Sequence, residues 1–400
     1  MQIRDVRDDE IDELIDHMDL VFNIPPERME MAYRHDSTVR LHQVKVAVED
    51  GRIVSAVRVA NRPVRIGEVR VEMGGIGGVS THPDYRGRGY CTAVLEAQIE
   101  YMQQQEYDIS MLFTGIVGFY RRLGWYSFPE HSAKAPVPDT FEADCESPYI
   151  VREYQQDTDL DAVIACYDDY NAERTLSMVR HRQYWLDGHT QFMGGVPWLV
   201  AERDGQVSAY LSGSTDDVHE ACCLDGHLAA FDALADSVME RAADGDTDEI
   251  RCRLHYNHPM TDRFRQICGG RISHTFSEGM MLRIIRLAPL LQKLVPVFQR
   301  RLCEACFNCP EPMSIGFDLV GQSATLAVEG QSVAVTDDAA DLQLHINSRQ
   351  FFMLLLGGGT VDEQWRLLQA RGNNISDSYR GLIRVLFPRQ EYTYYGFDHF

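Results

Sequence analysis

The alternation of apolar and polar residues predicts short strands and amphipathic helices at the start of the chain. Ile3–Arg7 is predicted to be a strand, and apolar residues at helical spacing after Asp8 predict a helix. Two alternating segments, Leu41–Val48 and Ile53–Val59, flank an Asp-Gly pair and predict a β-hairpin. These elements indicate a mixed α/β domain.

A buried strand, a loop rich in arginine and glycine, and a helix follow one another within Gly77–Met102. The loop contains Arg86, Gly87, Arg88 and Gly89, and the helix after it has one apolar face. The first N–H groups of a helix have no partner within it, and the helix macrodipole is positive at that end. Because glycine has no side chain to keep an anion away from these groups, the loop is predicted to bind a pyrophosphate.

The order of strands and helices continues beyond this loop and is then repeated. Ile109–Phe113 is predicted to be a strand, Ile116–Leu123 a short helix and Trp125–Phe128 another strand. A second series of the same kind begins at Tyr149 and ends with a strand over Met280–Ile285. This second series has no Arg-x-x-Gly-x-Gly loop, so it is predicted to be structural.

The pattern changes again after Leu287. Alternating segments between Met313 and Ile346 predict an antiparallel meander with a further strand. Three helices are predicted to follow, within Arg349–Leu356, Val361–Arg371 and Asp377–Leu386. Strands followed by helices are typical of an α+β domain.

Length and charge narrow the class of protein. A chain of 400 residues, 44% of them hydrophobic, is expected to fold into two or three globular domains. Its net charge of −22 argues against binding to nucleic acid or to a membrane, because phosphate groups would be repelled. The acidity favours cationic substrates such as amines, or serves solubility alone. The sequence has no signal-peptide pattern and no apolar run of membrane length, so a cytoplasmic location is expected.

Three cysteines, Cys303, Cys306 and Cys309, form a C-x2-C-x2-C pattern that is similar to part of a metal site. A closed tetrahedral zinc site needs four ligands, and no fourth cysteine or histidine follows at ligand spacing. No metal is therefore expected, and the cysteines are expected to be reduced.

Two motifs resemble the landmarks of the GNAT N-acetyltransferases. The segment H-P-D-Y-R-G-R-G-Y, which ends at Tyr90, is similar to the acyl-CoA loop R/Q-x-x-G-x-G/A of that family. Cys91 departs from the pattern, which has Gly or Ala there. Further along, Gly118–Trp125 resembles the second landmark, F-Y-x-x-x-G-F/W. The order and spacing of both motifs indicate an acetyl-CoA-dependent acyltransferase rather than a coincidental Gly/Arg turn.

The three-part plan resembles the Eis-type acetyltransferases, in which an active GNAT unit, a degenerate GNAT unit and a domain similar to sterol carrier protein 2 follow one another. The resemblance implies an α/β (α+β) fold class with two tandem GNAT folds, at residues 1–145 and 146–286, and a sterol-carrier-like α+β domain at 287–400. It also implies a homo-oligomer, such as a hexamer.

The same resemblance implies how acetyl-CoA binds. The backbone edge of Val79, Ser80 and Thr81 is expected to pair with the pantetheine arm as an added strand would. The pyrophosphate is expected at the loop and the start of the helix, at Arg86, Gly87, Arg88, Gly89, Tyr90, Cys91 and Thr92. Gly115 and Ile116 are expected to flank the thioester.

Two residues are predicted to carry the chemistry. Tyr120 matches the tyrosine of the family and is expected to protonate the leaving thiolate, because a phenol pKa of about 10 lies near a thiol pKa of about 8.5. Phe400 matches the family's terminal residue, whose carboxylate enters the active site and takes the proton of the amine. An ordinary terminal carboxyl, with a pKa of about 3.5, is a weak base toward an ammonium of about 10.4, so burial or a relaying water is required. The alternatives are a packed aromatic at Tyr120 and a tail that only caps the third domain.

The predicted function is N-acetylation of a primary amine on a polycationic small molecule, such as an aminoglycoside or a polyamine, or on a lysine side chain. Asn23–Arg34 is a candidate rim for this substrate. One alternative is a regulator that binds acetyl-CoA without turnover. Another is a lipid-binding protein that uses the apolar stretch Phe351–Leu356 of the third domain.

Overall fold

A computed structural model describes the chain except for residues 144–146, 188–195, 246, 320, 359–362, 364–365, 367 and 369–375. The chain divides into two compact units. The first unit comprises Met1–Phe128, Glu278–Gln390 and Phe400, and the second comprises Pro129–Ser277 and Glu391–His399. The helix predicted over Val361–Arg371 lies almost entirely outside the described residues.

The strands confirm the predicted mixed α/β class. In chain order they are β1 (Gln2–Asp5), β2 (Val44–Glu49), β3 (Arg52–Asn61), β4 (Val64–Ile66), β5 (Val69–Val71), β6 (Met73–Thr81), β7 (Ile109–Phe113), β8 (Tyr126–Ser127), β9 (Glu130–Pro136), β10 (Ile150–Glu153), β11 (Leu199–Arg203), β12 (Gln206–Gly213), β13 (Asp217–Cys223), β14 (Glu249–Cys252), β15 (Ser273–Ser277), β16 (Met280–Ile284), β17 (Cys309–Leu319), β18 (Gln322–Gly330), β19 (Ser332–Thr336) and β20 (Leu342–His345).

The described α-helices lie between these strands and after the last of them. They are α1 (Ile11–Phe22), α2 (Pro26–Arg34), α3 (Tyr90–Gln104), α4 (Val117–Arg121), α5 (Gln156–Asn171), α6 (Arg182–Leu186), α7 (Ala230–Ala243), α8 (Pro259–Ile267), α9 (Leu287–Glu304), α10 (Ser348–Leu355) and α11 (Asp377–Leu386). None of these described helices is long and apolar enough to cross a membrane.

A seven-stranded sheet in the order β1-β2-β3-β6-β7-β16-β8 forms the centre of the first unit. Its central strands, β6 and β7, run parallel, whereas β3–β6 and β7–β16 are antiparallel pairs. Alternate residues of β3 point to opposite faces: Ala56 packs with α1 and α2, and Val59 packs with α3. Helices therefore cover both faces of this sheet.

A smaller sheet in the order β19-β18-β17-β20 also belongs to the first unit, together with α9, α10 and α11. The predicted meander and the two predicted helices that fall on described residues are confirmed. The long helix α9 was not predicted, although Leu290, Leu294 and Val297 recur on its buried side.

The second unit repeats the layout of the first sheet. Its seven strands have the order β10-β11-β12-β13-β14-β9-β15, and the parallel pair, β13 and β14, again occupies the fourth and fifth positions. Helices α5, α7 and α8 bury Val163, Leu234 and Phe264 in the core of this unit.

Two strands have partners that the sequence did not predict. The strand predicted at Met280–Ile285 exists as β16, but it pairs with β7 and β8 in the first sheet instead of closing the second series. In the second sheet β9 lies between β14 and β15. Only Ala133 and Ala135 of β9 are buried, so its sequence lacks the apolar alternation that marks a strand.

Candidate active site

The two central strands of the first sheet pair only where they begin. The parallel ladder runs from Met73–Ile109 to Gly75–Met111 and then stops. From Ile76 to Thr81, β6 remains paired with β3, while no described strand pairs with its other edge. The separation exposes backbone donors and acceptors to which an extended ligand can bind as an added strand.

A bulge in β6 lies in this separated part. Between the pairs that Ala56 and Arg58 make with β6, one residue of β3 is opposed by two of β6, Gly78 and Val79. Gly78 has φ 59°, in the left-handed region that favours glycine. A methyl group on Gly78 would come 2.5 Å from the Tyr33 hydroxyl oxygen, so the bulge depends on glycine for space as well.

The predicted pyrophosphate loop lies directly before α3. Gly87 and Gly89 have φ of 76° and 84°, and a methyl group on either glycine would meet no atom within 4 Å. Arg86 and Arg88 are exposed, and Tyr90 begins the 15-residue helix α3. The loop therefore combines an open approach to the backbone, the positive end of a helix and two cationic side chains, which fit a pyrophosphate.

The residues predicted to flank the thioester lie in the turn after β7, just before the second landmark. Gly115 and Ile116 are exposed, and the Ile116 N–H donates to the Thr114 Oγ1 at 2.9 Å. The short helix α4 follows and carries Tyr120, whose ring packs edge-on against Phe119.

Burial favours the protonated form of Tyr120. The side chain is 9% exposed, and burial raises the pKa of Tyr120 well above its ordinary value. The Cys91 thiol, in the first turn of α3, raises the pKa of Tyr120 further, and burial raises the pKa of Cys91 itself to about 11. The structure therefore brings Tyr120 near the loop as a protonated phenol, able to donate a hydrogen bond.

The terminal residue, Phe400, lies beside β6 and β7 where they separate. A methyl group on Gly75 would come 2.6 Å from the Phe400 ring, whose centroid is 5.6 Å from that of Phe113. A methyl group on Gly77 would come 3.0 Å from the carboxyl carbon of Phe400. Two glycines thus leave the room that the terminal residue occupies.

The sequence did not single out three buried polar residues next to β6, which are His17, Tyr33 and Arg58. Burial lowers the pKa of His17 to about 4, and its Nε2 lies 2.9 Å from the Ser80 Oγ. Burial raises the pKa of Tyr33 to about 12, and the Arg58 Nη1 donates to the Ala32 carbonyl oxygen at 2.6 Å. Tyr33 falls inside the predicted substrate rim. Arg58 could have been singled out, because it is a charge in the middle of an apolar strand.

One comparison with known proteins matches the N-terminal part of the chain. A family model described as an acetyltransferase (GNAT) domain matches residues 2–128. None of the curated proteins matches the chain.

Several solved structures share the fold over nearly the whole chain. A conserved Enterococcus faecalis V583 protein of unknown function, described as a probable N-acyltransferase, is 18% identical with a TM-score of 0.76, over 98% of this chain and 99% of that one. A GCN5-related N-acetyltransferase from Anabaena variabilis is 14% identical with a TM-score of 0.71, over 98% and 100%. Eis1 from Mycobacterium abscessus is 15% identical with a TM-score of 0.64, over 99% and 98%.

At these identities the solved structures establish the fold, and the family model identifies the domain that carries the loop and Tyr120. The chain therefore contains a GNAT acetyltransferase domain in residues 2–128, and this domain supports an acyl-CoA-dependent acetyltransferase activity.

Proposed function

We propose that the protein transfers the acetyl group of acetyl-CoA to a primary amine and that its own terminal carboxylate is the base. The observation that carries this proposal is the position of Phe400 against Gly75 and Gly77, where β6 and β7 separate. A carboxylate at this point lies next to the strand edge that suits the donor, within reach of an amine that approaches the thioester.

The donor would lie along the separated part of β6. The unpaired edge at Val79–Thr81 would bind the pantetheine arm, and the exposed Gly115 and Ile116 would flank the thioester. The backbone of Gly87–Thr92 would hold the pyrophosphate, with Arg86 and Arg88 as counter-charges.

The reaction would move two protons. The amine nitrogen attacks the thioester carbonyl carbon, a C–N bond forms, the C–S bond breaks, and the proton of the attacking nitrogen passes to the Phe400 carboxylate. The thiolate takes the phenolic proton of Tyr120. The raised pKa of Tyr120 makes this phenol a weaker acid than its ordinary value suggests. It would therefore first stabilise the negative charge on the sulfur as a hydrogen-bond donor and release its proton only as that charge develops.

The acceptor would be a polycationic amine, such as an aminoglycoside or a polyamine, or a lysine side chain. The net charge of −22 supports this choice, as do Glu27 and Glu30, which are exposed on α2 within the predicted rim. Asp398, near the end of the tail, is buried and paired with Arg180, so it is not available to an amine substrate. Equal turnover of neutral and polycationic amines would contradict this choice of acceptor.

The Eis-type plan is part of the same proposal. It comprises a catalytic domain over 1–145, a degenerate GNAT-like domain over 146–286 and a sterol-carrier-like domain over 287–400, in a homo-oligomer. The full-length likeness to Eis1 supports it at the level of the fold.

Thiol release from acetyl-CoA, measured across a panel of amines, tests the proposal. The native chain should turn over, and a variant with two residues added after Phe400 should bind acetyl-CoA but not react. Equal activity of both forms would show that the base lies elsewhere. If the native chain bound acetyl-CoA and acetylated no amine, the protein would be a donor-binding regulator instead.

A further inference from the structure

A buried positive charge lies in the middle of the first sheet. Arg58 is on β3, one of the central strands, and only 5% of the residue is exposed. Removing a guanidinium from water is costly unless an anion and hydrogen-bond acceptors compensate it. An anion near Arg58 should therefore compensate its buried charge.

The side chains near Arg58 supply only part of this compensation. One nitrogen, Nη1, donates to the Ala32 carbonyl oxygen, and the Tyr33 ring centroid lies 5.3 Å from the guanidinium carbon. The nearby carboxylate of Asp36 forms a 2.9 Å ion pair with Arg62. No Asp or Glu among the described residues forms an ion pair with Arg58, and the buried Arg58 Nε has no hydrogen-bond partner there.

The unpartnered side of Arg58 faces the terminal residue. Arg58 is the cross-strand partner of Gly77 in the β3–β6 ladder. A methyl group on Gly77 would come 3.1 Å from the Arg58 Nε and 3.0 Å from the carboxyl carbon of Phe400. The cation and the carboxylate thus lie on the same side of one α-carbon, in a place that only glycine leaves open.

We infer that Arg58 is a positioning residue whose guanidinium holds the terminal carboxylate of Phe400 ionised and oriented at Gly77. The inference rests on the proposed function, in which this carboxylate accepts the proton of the amine. An arginine fork restricts the direction of a carboxylate more than a point charge would. The Nη1 bond to Ala32 in turn fixes the fork.

Other ionisable groups around Arg58 and the Phe400 carboxylate could also affect the titration of that carboxylate. Tyr33, Asp36 and Arg62 act electrostatically on Arg58, and burial lowers the pKa of Arg58. His17, on α1, is neutral near pH 7, since burial lowers its pKa to about 4. Arg58 is therefore the cation whose removal should change the titration of the carboxylate most.

The direct test is carbon NMR of protein labelled at the carbonyl carbon of phenylalanine. Among the 17 phenylalanines, Phe400 is the one whose carbonyl carbon is a carboxylate in the proposed function, so its signal reports the protonation of that group. In the native protein we expect this signal to stay at its ionised position between about pH 8 and about pH 5. In Arg58→Met it should titrate within that window, because a close cation lowers a carboxyl pKa by about 1–3 units and burial without it raises the pKa.

Control variants separate charge from structure. Arg58→Lys keeps the charge and should titrate close to the native protein, whereas Arg52→Met, at the exposed start of the same strand, should change nothing. If Arg58→Met did not fold, Arg58→Gln would serve as the second neutral variant. Superimposable titrations of the Phe400 signal in the native protein and a folded neutral variant would overturn the inference.

Kinetics distinguish failure of this inference from failure of the proposed function. With Arg58→Met we expect kcat to fall about tenfold to a hundredfold, with KM for acetyl-CoA little changed and partial recovery in Arg58→Lys. The NMR titration needs no turnover, so an inactive native protein would remove the proposed function while the titration still decided the role of Arg58. If the native protein were active but Arg58→Met left the titration of the carboxylate unshifted, the proposed function would stand and the role of Arg58 would be overturned.

Discussion

The two seven-stranded sheets have the same strand layout, but different residues lie where their parallel strands separate. In both, the parallel pair stops early: β6 leaves β7 after Gly75, and β13 leaves β14 after Val218. In the first sheet the terminal residue Phe400 lies at the separation, beside Gly75 and Gly77, whereas in the second sheet Tyr395 and Phe397 pack against β13. The same backbone arrangement can thus be a site or part of a core, depending on what packs into it.

Aromatic residues near the end of the chain pack against β13 of the second sheet. The ring of Phe397 stacks on His219 of β13 with centroids 6.4 Å apart, and the Tyr395 hydroxyl lies 3.6 Å from the Cys222 sulfur. Both aromatic residues are 1% exposed. No edge of β13 like the unpaired part of β6 therefore remains open to a ligand at these residues.

A buried ion network completes this packing. Arg180 donates to Glu220 at 3.0 and 2.7 Å and to Asp398 at 2.9 and 2.7 Å. Its guanidinium carbon also lies 4.1 Å from the Tyr167 ring centroid. In the second unit a cation is satisfied by two carboxylates of the same unit, whereas Arg58 in the first unit has an unpartnered Nε.

The loops after the equivalent strands each contain a left-handed glycine but differ in charge. Gly226 has φ 77°, close to the values of Gly87 and Gly89, and a methyl group there would also meet no atom within 4 Å. Asp225 precedes Gly226, whereas Arg86 and Arg88 precede the two glycines of the first loop. An anion would be attracted to the first loop and repelled from the second.

Breaking the network of the second unit should have the largest effect on stability. Arg180→Met leaves Glu220 and Asp398 buried without their cation, and we expect a loss of about 3–5 kcal/mol in the free energy of unfolding, measured in denaturant.

The loss of stability in Arg180→Met should also depend on pH. Burial already raises the pKa of Glu220. Without Arg180 the folded state would bind more protons than the unfolded chain, so the loss should be larger at pH 8 than at pH 5. Arg203→Met, on the exposed end of β11, is the control, and a loss below about 1 kcal/mol for Arg180→Met would contradict the network's importance.

Adding a side chain at Gly77 should displace the terminal residue and leave the second sheet unchanged. A methyl group in Gly77→Ala cannot fit beside the Phe400 carboxyl carbon at 3.0 Å without a shift of the terminal residue. We expect kcat for amine acetylation to fall about tenfold to a hundredfold with little change in stability. Gly279→Ala, whose methyl would make an ordinary 3.6 Å contact, is the control. Full activity of Gly77→Ala would argue against a role for the terminal carboxylate.

The smallest effect should come from the paired loop glycines. Gly89→Ala and Gly226→Ala impose similar backbone strain, of about 1 kcal/mol, so their thermal stabilities should fall alike. Only Gly89→Ala places a methyl group where phosphates would approach the backbone, and calorimetry should show a roughly tenfold weaker binding of acetyl-CoA. Equal affinities in the two variants would place the pyrophosphate elsewhere.

Local patterns predicted the elements around the site well. The strand before the arginine-glycine loop, the helix after it and the strand Ile109–Phe113 are confirmed as β6, α3 and β7. Helical spacing, capping geometry and apolar alternation depend on residues close in sequence, which is why they could be read directly. The strand β9 was missed because its buried residues are two alanines, and the partner of β16 was wrong because pairing depends on remote segments.

The sequence by itself determined the chemistry of the loop: glycines with free backbone N–H groups, arginines beside them, and a helix that starts where they end. Tertiary structure alone decided that β6 and β7 separate after Gly75, that Phe400 lies at Gly77 and that Arg58 faces the same point. The physical reason is that backbone conformation at a glycine turn is a local property. The meeting of a terminal carboxylate, a buried cation and a strand edge results from packing among segments far apart in the chain.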